Sequence, residues 1–242
     1  SQIRTIPAQR GEIFDRNANI NMPLVVDTES FAVDITPAEI PDGHYDSVAL
    51  RLAGFLGISK RDIDRKVPNY LKKSFSALEI KANVPSEIIQ NIAENLTDLP
   101  GVSWRSKPVR NYVETGSISH VIGYVGDITS EEIKVMYNKG YKKNAIIGKT
   151  GIEKQYDSLL QGVDGREVKK VDVRGHIVSD ESEIEPPQTG KNLVLTIDTR
   201  IQKLAEKALG ERVGAAVVLK PATGEVVAMV SYPYYDQNLF SD

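Results

Sequence analysis

The spacing of apolar residues changes several times along the chain, and each change marks an element. Residues 1–37 read as extended, and Ser30 to Thr36 alternates around Phe31, Val33 and Ile35, a strand pattern that Pro37 and Pro41 end. Asp15-Arg16-Asn17-Ala18-Asn19 reads as a turn. Helical spacing follows: Val48, Ala49, Leu52, Ala53 and Leu56 share one face, with Ser47 as the predicted cap and Gly57 at the C-cap. Ser59 and Asp62 have capping-box spacing for a short helix to about Val67, which Pro68 follows. Phe75 to Ile80 is a predicted strand. Pro85 suits the first turn of a helix whose core stripe is Ile88, Ile89, Ile92, Ala93 and Leu96. After the Pro100-Gly101 break, Val102 to Val113 is strand-like, with Trp104 alternating with Arg105, Lys107 and Arg110 on a solvated face.

Thr129 with Glu132 forms a capping box for a helix to about Asn138, ended by Gly140-Tyr141. The stretch Gly148 to Gly162 organises the chain: a glycine-bounded turn, then Ile152, Tyr156, Leu159 and Leu160 at roughly helical spacing. Arg166 to Val178 reads as paired strands around Gly175. Asp180 to Pro187 reads as an acidic, proline-terminated connector and the best domain boundary. Beyond it come a strand, Asn192 to Ile197; a helix capped by Thr199 with Gln202, carrying Ile201, Leu204, Ala205, Ala208 and Leu209; and a hairpin, Val213 to Leu219 with Glu225 to Ser231. Such a piece leaves an apolar face and a sheet edge open, so further chain or a partner is expected to complete it.

The 242 residues fit one large domain or two moderate ones, and 40% apolar content supports a core. A net charge of -3 gives nucleic-acid binding no support. Without cysteine there are no disulfides or thiolate ligands. His44, His120 and His176 lack metal-ligand spacing, and no metal or cofactor is expected. Lys149-Thr150-Gly151 lacks the glycine pattern and the strand–loop–helix context of a phosphate loop. Around Arg10-Gly11-Glu12-Ile13-Phe14-Asp15-Arg16, two readings stand: a hairpin with a local salt bridge, or a buried ion-pair network. No apolar stretch within these residues has the length of a membrane span and no signal-peptide pattern is read in them, and the abrupt start at Ser1 is expected to follow a missing upstream piece.

Six groups of residues, in order, resemble landmarks of class B penicillin-binding proteins, most closely the elongation type. Arg10-Gly11 with Ile13 and Asp15-Arg16 is similar to the first pedestal motif. Arg110 with Tyr112 resembles the second, with Val113 where proline is usual. His120-Val121-Ile122-Gly123-Tyr124-Val125-Gly126 resembles the segment that follows. Gly148, Gly151, Ile152, Glu153, Tyr156 and Asp157 resemble the third motif. Leu195-Thr196-Ile197-Asp198 with Gln202 is similar to the opening of the transpeptidase domain. Thr223-Gly224-Glu225, Ala228-Met229, Pro233, Asp236 and Asn238 resemble the strands before the active site, with Lys220 and Gln237 as departures.

The resemblance implies an α+β fold: an elongated, non-catalytic pedestal with anchor and head parts, mostly strands with short helices. The incomplete opening of a serine-transpeptidase (penicillin-binding/β-lactamase-like) α/β domain follows. The expected division is residues 1–187 as pedestal (dimerisation) domain, its head near 38–112, and 188–242 as the transpeptidase fragment. The implied chemistry is acyl transfer from D-alanyl-D-alanine stem peptides to a serine. S-x-x-K and S-x-N motifs are absent, Ser103 and Lys107 have the wrong spacing, and Lys149-Thr150-Gly151 precedes the catalytic domain. The chain by itself is therefore expected to be inactive, without catalytic, cofactor or metal residues, and not to react with penicillin. Implied partners are peptidoglycan stem peptides and penicillins through the catalytic part, an MreC-like scaffold, a RodA-like SEDS glycosyltransferase, and the bacterial inner membrane through an upstream anchor. This region would then face the periplasm. A homo-oligomer through the open strands is a further expectation. Arg10, Asp15, Arg16, Arg110, Glu153 and Asp157 are expected to form a polar network. A division-type enzyme and a non-enzymatic envelope scaffold remain as alternatives.

Overall fold

The computed structural model describes residues 2–113, 115–136, 141, 145–171 and 177–240. The chain forms two compact bodies. One comprises Ser1–Pro7, Thr28–Val109 and Arg166–Glu185; the other comprises Ala8–Asp27, Arg110–Gly165 and Pro186–Asp242.

In the first body, strand Phe31–Ile35 is the middle of an antiparallel sheet between Leu78–Val84 and Val102–Ser106. Helices Tyr45–Leu56, Lys60–Lys66 and Ser86–Glu94 provide the rest of its core, where Val33, Ile35, Leu52, Leu56, Ile63 and Ile92 are buried together. The first helix starts earlier than the Ser47 cap predicts. His44 takes the cap position, and the Ser47 hydroxyl donates to the His44 carbonyl at 2.9 Å. A serine inside the first turn finds that acceptor one turn back without leaving the helix. Gly57 closes the helix at φ 63°, and both bonds of the Ser59–Asp62 capping box form.

Two strand expectations and one loop expectation shift in this region. The strand expected over 75–80 runs instead over Leu78–Val84, leaving Phe75 exposed. The run 102–113 breaks into Val102–Ser106 and Val109–Tyr112, because Pro108 has no N–H to give a ladder. The acidic connector expected over 180–187 is mostly strand: Ile177–Glu185 pairs antiparallel with Gly165–Val171, placing Arg166 opposite Glu185. An ion pair across that register offsets the low strand preference of the acidic residues. Gly175 lies outside the described residues.

The second body is built on a sheet in the order Leu193–Val194, Ile13–Phe14, Val25–Thr28, Val109–Tyr112, with the first pair parallel. The strand expected over 192–197 thus keeps only two residues. Ile13, Val25, Tyr112, Ile118, Ile122, Leu160 and Ile197 form the core. The turn after Phe14 closes with the Ala18 N–H on the Asp15 carbonyl at 3.0 Å. Helix Thr199–Leu209 and the hairpin Gly214–Lys220/Glu225–Tyr232 follow as expected. The cap differs: Asp198 accepts the Arg200 N–H at 3.0 Å, and Gln202 turns elsewhere. Val213, Val217, Leu219 and Leu204 stay exposed.

The stretch from Gly148 departs most from its apolar pattern. It folds as two short helices, Gly151–Gln155 and Asp157–Leu160. Tyr156 and Leu159 are exposed, whereas Glu153 and Asp157 are buried, so the inward face of this segment is partly charged.

Candidate functional site

Two guanidiniums and three carboxylates meet inside the second body. Glu153, with no exposed surface, bridges the two arginines: Arg10 Nη2 donates to Oε2 at 2.9 Å and Arg110 Nε to Oε1 at 2.8 Å. Arg110 is used completely. Its Nη1 reaches Asp27 at 3.0 Å and its Nη2 the Gly11 carbonyl at 2.9 Å. Arg10 is not. Its Nη2 is shared between Glu153 and Asp157 (2.8 Å), while its buried Nε and Nη1 have no acceptor among the described residues. Burial works against the Arg10 charge, but Glu153 and Asp157 outweigh it and raise its pKa above the ordinary guanidinium value.

The backbone completes the cluster. Asp27 accepts the Arg10 N–H at 2.7 Å, and Asp157 accepts the Gly148 N–H at 2.8 Å. The Tyr141 hydroxyl donates to the other Asp157 oxygen; burial first and this carboxylate second raise its pKa. The cluster therefore joins residues 10–11, 27, 110, 141, 148 and 153–157, distant in sequence, through charge-assisted bonds. Gly148 is required by space: a Cβ there would lie 2.0 Å from the Glu153 carbonyl oxygen. Gly123 (φ 75°) and Gly151 (φ 58°) form a second close approach, where a side chain on either would strike the other's loop.

The remaining residues singled out in the sequence sit around this cluster. Gly11 donates its N–H to the Leu160 carbonyl. The Tyr112 hydroxyl accepts the Val125 N–H at 2.9 Å. Burial, then the Glu153 charge, raise the Tyr112 pKa. Asp15 and Arg16 do not join the cluster. Asp15 accepts from the Thr199 hydroxyl at 2.8 Å; burial opposes its charge, but Thr199 and Asn17 hold it below the usual carboxylate range. Arg16 reaches Glu225 at 3.3 Å, so the local salt bridge expected with its neighbour is not made. His120 Nε2 lies 3.1 Å from the Pro233 carbonyl oxygen, its ring edge-on to Tyr235. Tyr156 faces solvent. Gln202, expected to close a capping box, instead bonds both backbone groups of Met229 at 2.8 Å and donates to Ser117 at 2.9 Å. Asp27 and Tyr141 escaped the sequence reading. Neither lies in a recognisable motif, and Asp27 sits on a strand whose alternation gives no sign of a buried charge.

Lys149-Thr150-Gly151 has a local role. Lys149 Nζ bonds Glu132 at 2.6 Å, and this bond first, with the Thr129 N–H, brings the Glu132 pKa to about 2. Among the described residues, no group of three or more His, Cys, Asp or Glu is placed to hold a metal ion. Among them, too, no helix is long and apolar enough to cross a membrane.

Residues 5–195 match the penicillin-binding protein dimerisation domain. The chain belongs to that family. This penicillin-binding protein chain is 31% identical to peptidoglycan D,D-transpeptidase MrdA of Escherichia coli K12 over 249 residues, covering 100% of the chain and 38% of MrdA. It is 32% identical to MrdA of Acinetobacter baumannii (99% and 35% covered) and to penicillin-binding protein 3 of Bacillus subtilis (99% and 34%). The chain thus spans little more than a third of the length of these curated relatives. Its α+β fold is similar to penicillin-binding protein 2 (PBP2) of Helicobacter pylori in complex with MreC, with TM-score 0.78 and 27% identity, covering 99% of this chain and 44% of that one. Against H. pylori PBP2 by itself the TM-score is 0.71 at 26% identity, with 99% and 45% covered.

Proposed function

We propose that this chain is the pedestal region of an elongation-type peptidoglycan D,D-transpeptidase, followed by the opening of its catalytic domain. Similarity to MrdA along the full chain carries the reading. Residues 1–187 serve as pedestal, with the head near 38–112, and 188–242 begin the transpeptidase domain. The parent protein is anchored in the inner membrane upstream of Ser1, and this region faces the periplasm. Its acyl-serine chemistry on stem peptides, and its reaction with penicillins, belong to sequence beyond Asp242.

The buried cluster gives the pedestal its mechanical role. Two arginines and three carboxylates hold four separate segments in one geometry, and ionic bonds of fixed direction resist sliding better than apolar packing does. Asp15 adds a tether by holding the first turn of the helix at Thr199, where the catalytic domain begins in this reading. The similarity to PBP2 in its MreC complex supports an MreC-like scaffold as a partner of this region. A RodA-like glycosyltransferase fits the same role, and the exposed strand residues around Val217 leave a homo-oligomer open to test. Calorimetric titration of the chain with the periplasmic part of the same cell's MreC tests the reading. Saturable binding is expected, together with no mass increase on incubation with a fluorescent penicillin. No binding, or a covalent penicillin adduct on this chain, contradicts it.

A further inference from the structure

The segment from Lys60 to Ser76 in the first body is strongly basic. It holds six of the chain's 30 basic residues (Lys60, Arg61, Arg65, Lys66, Lys72, Lys73) and only two of its 33 acidic ones, Asp62 and Asp64. Both acids are engaged, Asp62 with Arg65 at 2.9 Å and Asp64 with Lys60 at 2.9 Å. Within this basic segment, two large rings point into solvent: Tyr70 is 83% exposed and Phe75 64%.

These rings are held there by structure. Residues Asn69–Leu71 form a 3-10 turn closed by the Leu71 N–H on the Pro68 carbonyl at 2.8 Å. The Ser74 N–H bonds the Leu71 carbonyl at 2.8 Å, and the Ser74 carbonyl accepts the Ala38 N–H at 3.1 Å. Lys72 lies over the Tyr45 ring, 4.5 Å from its centre. The loop is tied down on its inner side while both rings stay outside the core. A monomer gains nothing from holding two aromatic rings in water among cations.

We propose that this loop is a contact site for an anionic lipid surface. Aromatic side chains settle at the boundary between headgroups and acyl chains, and flanking lysines keep their ammonium groups among the phosphates while their stems lie along the apolar layer. Each basic residue near an anionic leaflet adds about 1 kcal/mol, close to a fivefold gain in partitioning. Asp62 and Asp64 offset only two of the six positive charges of this segment, and the phosphate plane supplies the remaining counter-charge. An acidic protein surface would use the charges but not require both rings. The inference is independent of the transpeptidase reading.

The test is sedimentation of the 242-residue chain with vesicles of phosphatidylethanolamine and phosphatidylglycerol, beside vesicles of phosphatidylcholine. Salt-sensitive binding to the anionic vesicles alone is expected. Tyr70→Ser with Phe75→Ser should reduce it at least tenfold, with unchanged circular dichroism because both rings lie outside the core. Lys72→Gln with Lys73→Gln should reduce it on the order of twentyfold. The proposal is overturned if the chain fails to sediment with anionic vesicles. It is also overturned if the ring variant binds them as the wild type does, or if polyglutamate binds the chain as tightly as the vesicles and without need of the rings.

Discussion

Arg10 and Arg110 contact the same carboxylate, yet their removal should have unequal effects. Arg110 places all three guanidinium nitrogens, on Glu153, Asp27 and the Gly11 carbonyl. Removing one partner of a buried ion pair costs about 3–5 kcal/mol, and a fully engaged arginine belongs at the upper end, so Arg110→Ala should lose about 5 kcal/mol. Among the described residues, Arg10 makes its two bonds through Nη2 alone and buries Nε and Nη1 without acceptors. Each unmatched buried donor is a penalty of about 1–3 kcal/mol that Arg10→Ala relieves, which brings its loss to about 3 kcal/mol. Both substitutions delete the same side-chain volume, so the packing loss largely cancels in the comparison. Urea unfolding followed by circular dichroism gives the overall losses. Hydrogen exchange at the Gly148 amide, which donates to Asp157, reports the cluster itself. The reasoning fails if Arg10→Ala is as damaging as Arg110→Ala, or if neither moves the unfolding midpoint.

Three further outcomes follow from particular contacts. Ala18 adopts φ 48°, a left-handed conformation costing an L-residue roughly 1–2 kcal/mol, so Ala18→Gly should raise stability by about 0.5–1 kcal/mol in thermal unfolding. Gln202→Leu strands both backbone groups of Met229, and a loss of about 2–3 kcal/mol should appear in the same measurement. The Glu132 pKa is depressed from 4.5 to about 2, so its contribution is complete above the unfolded value and is lost as pH falls through about 2; Lys149→Met should move its NMR titration back towards 4.5.

The sequence reading succeeded where a local rule sufficed. The helix ending at Gly57, the Ser59–Asp62 box and the hairpin after Val213 depend on neighbours a few residues apart, and all three formed. It failed where distant partners override local preference. The acidic run before Pro186 looked like a solvated loop until a strand opposite supplied Arg166. At the cluster, Arg10, Arg110, Glu153 and Asp157 were legible through a family resemblance and not through periodicity, which pointed to Tyr156 and Leu159 as inward residues. Asp27 and Tyr141 carried no signal, because a buried polar group is recognisable only once its partner, elsewhere along the chain, is in place.

The central claim, that this is the pedestal region of the elongation transpeptidase, is tested most directly by depleting the parent protein in growing cells while measuring cell shape and peptide cross-links in isolated sacculi. Rounded cells with fewer D,D-cross-links are the expected result, restored by the wild-type gene and not by one carrying Arg110→Ala. Filamentous cells, or rods with unchanged cross-linking, would contradict it.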